Sequence, residues 1–502
     1  MVIANSNKHI APYWNSSTNL KMGLNQLGIR NVAEQMFARL LPGLNNVSSR
    51  IRYYSFYCWL IQHFYKDKDY VNEKDFNPYL RRAELLLAFI NGTKDNSQGI
   101  PGINYVLQQF QDNIEFISLK EGAKNSDGSY WANPGGIFRQ YYSASLEEIG
   151  LIGVNVNSSQ IYNITRNDGF VNGEILAESF ASSVGDDGRL FLNLLTQDDV
   201  NVEELRKLND SFSMKLMPDT SHERNILQRL LLQKDQPASD SLTFHRHNTI
   251  KYVLEYLYIN NVSLDAIGFS KHMYLEYHRG QKDLTTWGWY AYFLDDNWQY
   301  QLTRLFHSVL LIIKNSKDLW TPIENVLENI SNSIINDMGI EASTPLNELL
   351  SMISLSNNNT VTDAVNNLLW YYKENVSMID ESVQHYHEIN VEYETFFDFM
   401  RKVTNNLQNS TSTFIKQLVT EDVIYRHYSV SFRKMLQTGL ATQKFSIESG
   451  CLRFIDDWDT SHTSPRIDTL RNFLIDLRLI NIDGKVSPLG VELLSAMNNE
   501  HS

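Results

Sequence analysis

Two cysteines, Cys58 and Cys451, are all that the 502 residues contain, and both lie inside apolar, periodic stretches. Two thiols cannot build a disulfide framework, nor can they alone furnish a zinc site, so a reducing cytoplasm is the expected setting. Long apolar runs are missing as well. The longest plainly aliphatic one, Val309 to Ile313, falls far below the roughly 18 residues that a membrane-spanning helix requires. Met1 to Trp14 has polar residues where a signal peptide carries its apolar stretch, so neither export nor membrane insertion is expected. No Gly-x4-Gly-Lys-Ser/Thr, Gly-x-Gly-x-x-Gly or Gly-x-Ser-x-Gly pattern occurs, which disfavours a P-loop ATPase, a Rossmann enzyme and an α/β hydrolase.

What the chain does have is a globular composition: 42% hydrophobic, 12% aromatic and 20% charged. That supports two to four domains and order nearly throughout. The net charge of -14 argues against a protein that coats nucleic acid, yet residues 1 to 66 hold seven bases (Lys8, Lys21, Arg30, Arg39, Arg50, Arg52, Lys66) against Glu34 alone. A basic face on an otherwise acidic molecule suits phosphate or an acidic partner.

Apolar residues three and four apart predict helices over 47–66, 76–90, 224–233, 249–258, 302–314, 323–338, 361–372 and 391–407. Loops are expected at 92–101, 121–136, 182–188 and 356–362, where Gly, Pro, Ser and Asn cluster. No repeat of 20 to 50 residues runs through the central region, so a solenoid is not supported.

The tail carries a more specific order. Leu474, Leu477, Leu479 and Ile480 are followed by Asp483, Gly484, Lys485, Val486 and Ser487, then by Gly490, Leu493 and Leu494. Upstream, Leu146, Ile149, Leu151 and Ile152 lead through Ile164 and Thr165 to Gly173, Leu176 and Ala177. Each reads as an amphipathic helix, a turn, a strand and a second helix. The copies differ between hydroxyl residue and glycine, eight residues from Thr165 to Gly173 against three from Ser487 to Gly490.

This order resembles the back half of a winged-helix domain, the superfamily that docks on DNA or on other proteins. The resemblance implies that Ser464 caps the later helix with Pro465 in its first turn, that Ile467, Leu470, Phe473, Leu474 and Leu477 face inward, and that Arg466, Asp468, Arg471 and Asn472 face out where a major groove is entered. The wing is then 481–485, ending in Lys485. In the earlier copy the helix is 137–149, with Arg139, Gln140 and Ser143 outward. Net charges of +1 over 465–480 and -1 over the earlier helix fall short of a dedicated phosphate binder, so protein contact is favoured for at least one copy. The layout is similar to that of kleisin subunits of condensin-like complexes, where winged helices clasp a coiled-coil ATPase. Residues 40–60 also resemble bacterial proteins encoded beside phage-defence genes, and no residue role follows from that.

Arg50, Arg52, Tyr53, Tyr54, Phe56, Tyr57 and Trp59 form the densest local cluster. As an exposed stripe they can bind phosphate bidentately and stack on bases; as a buried face they are core, with the arginines bridging neighbouring acids. For metal chemistry the candidates are His385, His387 and Glu388, His245 and His247, and His272, Glu276 and His278. None has the His-Glu-x-x-His spacing, and histidines two apart on a helix diverge by about 200 degrees. Asp295, Asp296, Asp456, Asp457 and Asp459 are the acids a nuclease would draw on; beside Trp298 and Trp458 they read as exposed turns.

The expectation is therefore a mainly α, multi-domain helical protein with one or two winged-helix units containing short β-hairpins. Its segments are a basic, aromatic-rich domain at 1–120, a wing unit at 136–182, a central helical domain at 189–420 and a C-terminal wing unit at 421–502. The expected function is a non-catalytic accessory or adaptor subunit of a bacterial complex, in phage or plasmid defence, without cofactor or metal, binding a protein partner and DNA as a second ligand class. The expected contacts are Arg50, Arg52, Tyr53, Tyr57, Arg139, Arg466, Arg471 and Lys485. The competing class is a metal-dependent nuclease or phosphodiesterase built on the His and Asp groups.

Overall fold

A computed structural model describes residues 25–66, 73–94, 99–110, 114–120, 133–155, 158–166, 170–217, 222–233 and 243–499. Lys8 and Lys21 of the basic N-terminal stretch, and most of the 121–136 loop, lie outside them. The architecture is mainly helical with a few short antiparallel strand pairs, as the periodicity predicts. No described helix is long and apolar enough to cross a membrane. The chain divides into two compact units: a larger one formed by the described parts of Met36–Tyr290 and Ser464–Ser502, and a smaller one formed by those of Met1–Gln35 and Ala291–Thr463.

In the larger unit the helix Arg52–Tyr65 is buried around nearly its whole circumference. It packs on Gly173–Val184, and Phe56, Trp59, Phe180, Phe191 and Phe212 form a joined aromatic core. Two antiparallel pairs sit in this unit, Phe116–Ser118 with Asp199–Asn201 and Ile152–Asn155 with Ser158–Ile164. Further on, the helix Thr243–Asn260 packs on the C-terminal helix Pro488–Asn499.

The smaller unit combines helices with a three-stranded antiparallel sheet whose central strand is Cys451–Phe454, flanked by Trp320–Pro322 and Phe445–Glu448. Its helix starts are written in the sequence. Thr360 with Asp363 and Thr395 with Asp398 each form a reciprocal capping box, and such caps contribute about 1 kcal/mol apiece. Helix Ile323–Met338 spans the predicted bounds and ends on Gly339 in the left-handed conformation.

Two helices depart from expectation for physical reasons. Leu284–Lys314 begins well before 302; every residue from Thr285 to Gln299 is buried, and a helix enclosed on all sides has no polar face to mark its period. The helix predicted over 391–407 starts only at Phe396 and ends at Asn405, and a separate helix, Ile379–Glu388, precedes it, with Asn390 at φ 53 turning the chain between them.

Candidate interaction surfaces

The two helix-hairpin-helix segments of the larger unit share one hydrogen-bond device. Each leading helix, Ser143–Glu148 and Ile467–Asp476, stops at a residue with positive φ: Gly150 (81°) in the earlier copy and Arg478 (61°) in the later. The next N–H then reaches back five residues, Leu151 to the Leu146 carbonyl at 2.8 Å and Leu479 to the Leu474 carbonyl at 2.9 Å. The returning strand is locked by a hydroxyl residue. Thr165 donates to the Gly150 and Leu151 carbonyls at 2.7 and 3.1 Å, and Ser487 to the Arg478 and Leu479 carbonyls at 2.6 and 3.1 Å. Each hydroxyl oxygen in turn accepts an N–H from the first turn of the second helix, Gly173 or Gly490, both at 3.0 Å.

The glycines are required by close approach. A Cβ on Gly173 would sit 2.2 Å from the Leu151 carbonyl oxygen, and one on Gly490 would sit 2.2 Å from that of Leu479. The extra residues of the earlier copy are accommodated between Thr165 and Gly173, so the spacing difference leaves the device intact. In the later copy the hairpin closes tightly, with the Asn481 N–H on the Lys485 carbonyl at 2.7 Å and a single bridge between Ile480 and Val486. Leu474 and Leu477 are fully buried and Leu494 nearly so, while Leu493 is half-buried.

Both leading helices are used inside the unit, against residues 41–51. Asn45 donates to the Tyr141 carbonyl and the Ser145 hydroxyl, both at 2.6 Å, while its own carbonyl accepts from Thr469 at 2.7 Å. Arg466, expected to face out, donates to the Leu41 carbonyl at 2.9 Å, lies over the Phe37 ring and reaches toward Glu148 of the earlier copy at 3.6 Å. Asp476 accepts from Arg50 Nη1 at 2.8 Å and from the Ile51 N–H at 3.4 Å. Ser143, expected outward in the earlier helix, is buried. The later hairpin is fastened too: Ser263 donates to the Asp483 carbonyl at 2.7 Å and the Leu264 N–H to the Gly484 carbonyl at 3.3 Å.

The arginine and tyrosine cluster belongs to the core. Arg52 is fully buried and binds Glu223 at 3.0 Å, the Ser213 carbonyl and the Ser183 hydroxyl. Tyr53 stacks on Tyr142 with centroids 4.7 Å apart, and Tyr57 donates to Glu84 at 3.0 Å. Arg50 is buried on Asp476. Of the remaining expected contacts, Arg139 and Arg471 are half-buried and Lys485 is exposed on the hairpin. The structure therefore brings Arg50, Arg466 and both leading helices together as an internal clasp.

The acids that complete this clasp, Glu84, Glu223 and Asp476, carry no local sequence signal, because their partners lie far away in the chain. Glu84 accepts the Ile137 and Phe138 N–H groups at 2.9 and 2.6 Å, and burial pushes its carboxyl up to about 7 against the pull of those bonds. Burial likewise raises Asp476 to about 7 even with Arg50 beside it.

The candidate metal groups do not assemble. His245 and His247 sit on one helix and diverge to Thr285 Oγ1 and the Leu232 carbonyl. His385 pairs with Glu388 at 3.1 Å within its own helix. His272 and Glu276 share a face at 4.0 Å, and His278 lies apart on Tyr274. Asp295 and Asp296 are buried in a helix instead of occupying an exposed turn; Asp295 accepts from Tyr386 and the Phe396 N–H, and Asp296 from His462 and Thr463. Asp456 and Asp457 pair with Lys444 and Lys314. Among the described residues no group of three or more His, Cys, Asp or Glu is placed to hold a metal.

Two further surface features, a groove of mixed polar and apolar lining and an exposed apolar ridge, were not legible in the sequence. In the larger unit, helices Thr243–Asn260 and Ala266–His278 leave a groove of about 580 Å³ lined by Tyr252, Glu255, Ile259, His272, Leu275 and Glu276 among others. In the smaller unit, helix Arg426–Thr438 exposes Tyr425 at its N-terminal junction, then Tyr428, Phe432 and Leu436. A π-helical segment, Val419–Tyr425, precedes it. Its wider turn shifts the phase of the buried stripe, so one helical period does not carry through both segments in sequence. Compared with known protein families, curated proteins and solved structures, the chain matches none.

Proposed function

We propose that the protein is a non-catalytic accessory subunit of a multi-protein complex, built on two winged-helix units and acting through contact with a partner protein. The observation that supports this reading is the use of both leading helices inside the larger unit. A base-reading helix must offer its polar face to a groove, whereas here Arg466, Thr469, Asp476 and Tyr141 are committed to residues 41–51. With both leading helices committed inside the unit, partner contact falls to other surfaces of the chain.

The test pairs two measurements on the full chain. Expressed at native level and purified gently, it should bring down one partner in stoichiometric amount. Its affinity for duplex DNA should stay in the non-specific range, on the order of 1–100 µM at physiological salt. A chain that purifies alone and binds one DNA sequence in the nanomolar range, with loss on Lys485→Glu, overturns the proposal in favour of a DNA reader.

A further inference from the structure

The ridge on helix Arg426–Thr438 permits a more specific statement, which rests on the accessory-subunit reading. At 100 degrees per residue, Tyr425, Tyr428, Phe432 and Leu436 fall within an arc of about 80 degrees, opposite the buried His427, Val430 and Ser431. They are 49%, 39%, 37% and 62% exposed, and Tyr428 and Phe432 lie parallel with centroids 6.3 Å apart.

Area decides what can cover such a stripe. With roughly 200 Å² available per large side chain, these exposures offer about 400 Å². A stable pairing of two whole chains buries about 800 Å² on each side, so the ridge is too small to hold a second copy and about right for one helix laid along some three turns.

Charge narrows the choice further. The helix carries Arg426, Arg433 and Lys434 and no acid, on a molecule whose net charge is -14. Arg426 is held by Glu394 and Asp422, and Lys434 by the Asn25 carbonyl. Arg433 is exposed and flanks the ridge. We propose that the Tyr425–Leu436 ridge docks a single amphipathic α-helix of a partner protein, with a carboxylate on the flank of that helix that meets Arg433. The apolar stripe supplies affinity and the Arg433 pair fixes orientation.

The test uses the full chain with p-benzoylphenylalanine in place of Phe432, irradiated in its native cells. Support requires that the cross-linked peptide be an amphipathic helix containing Asp or Glu. It also requires that Arg433→Glu weaken that partner at least tenfold, and that replacing the partner's carboxylate with Lys restore binding to the Arg433→Glu chain. Cross-links to a second copy, to residues 1–24 of the same chain or to an acid-free peptide, or no cross-link, overturn the proposal.

A partner that co-purifies undiminished with Phe432→Asp/Leu436→Asp, a variant whose circular dichroism and melting should match wild type, also overturns it while leaving the accessory-subunit reading intact. Absence of any partner from the wild-type chain defeats that reading itself.

Discussion

Replacing Arg50 with methionine tests whether the basic N-terminal cluster is a binding stripe or a structural clasp. Arg50 lies buried with Nη1 2.8 Å from Asp476, joining the start of Arg52–Tyr65 to the end of Ile467–Asp476. Arg50→Met keeps the apolar stem and removes the charge, so Asp476 is left buried with only the Ile51 N–H at 3.4 Å among the bonds described above.

Breaking one side of a buried pair costs about 3–5 kcal/mol, whereas truncating a surface arginine shifts stability by about 0.5 kcal/mol or less. At roughly 2–4 °C per kcal/mol for a unit of this size, the melting transition should fall by about 6–20 °C. Hydrogen exchange should accelerate in peptides from both helices. The loss should grow with pH. Burial already holds the Asp476 carboxyl near 7, and without Arg50 it rises further, so above pH 7 the variant must either hold a proton that the unfolded chain has released or bury an uncompensated charge. The double variant Arg50→Met/Asp476→Leu should recover most of the stability, since apolar replacement of a buried pair is often neutral. A single-variant loss under about 0.5 kcal/mol, or a double variant as unstable as the sum of the singles, refutes the clasp.

Three further outcomes follow from the same geometry. Gly173→Ala and Gly490→Ala should each destabilise the larger unit by more than about 2 kcal/mol in urea titrations, since the new methyl meets a backbone carbonyl at 2.2 Å; equal tolerance at both would contradict the shared close approach. Arg478→Gly should stabilise by about 0.5–1 kcal/mol, because φ is 61° there and the earlier copy has Gly150 in the same place; a destabilised variant would mean that the Arg478 side chain outweighs the strain. Glu84, held near 7 by burial, binds its proton in the folded state across a range where the unfolded chain has lost it. Its contribution is therefore full below about pH 4 and declines as pH rises through 7, by at most about 1.4 kcal/mol per pH unit. Wild type should lose stability relative to Glu84→Gln between pH 5 and 7.5, and parallel curves for the two would remove the effect.

The sequence by itself determined the elements that rest on local rules. Capped, half-exposed helices such as Ile323–Met338 and Val361–Asn375 announce their period and their ends. The recurrence of an aliphatic helix end, a hydroxyl residue and a glycine marked two segments that share one hydrogen-bond device, because that device is built from neighbours in the chain. Only the tertiary structure decided which faces those units use. For Arg50 and Arg52 the sequence left an exposed stripe and a buried, acid-bridging face both open, and it placed Arg466 outward, because the groups that neutralise or accept them, Asp476, Glu223 and the Leu41 carbonyl, stand 171 to 426 residues away, and no local pattern encodes a partner at that separation. The ridge of Tyr425, Tyr428, Phe432 and Leu436 was hidden for a different reason: its helix mixes them with His427, Ser431, Arg433 and Lys434, and which side of such a helix packs inward is a property of tertiary packing.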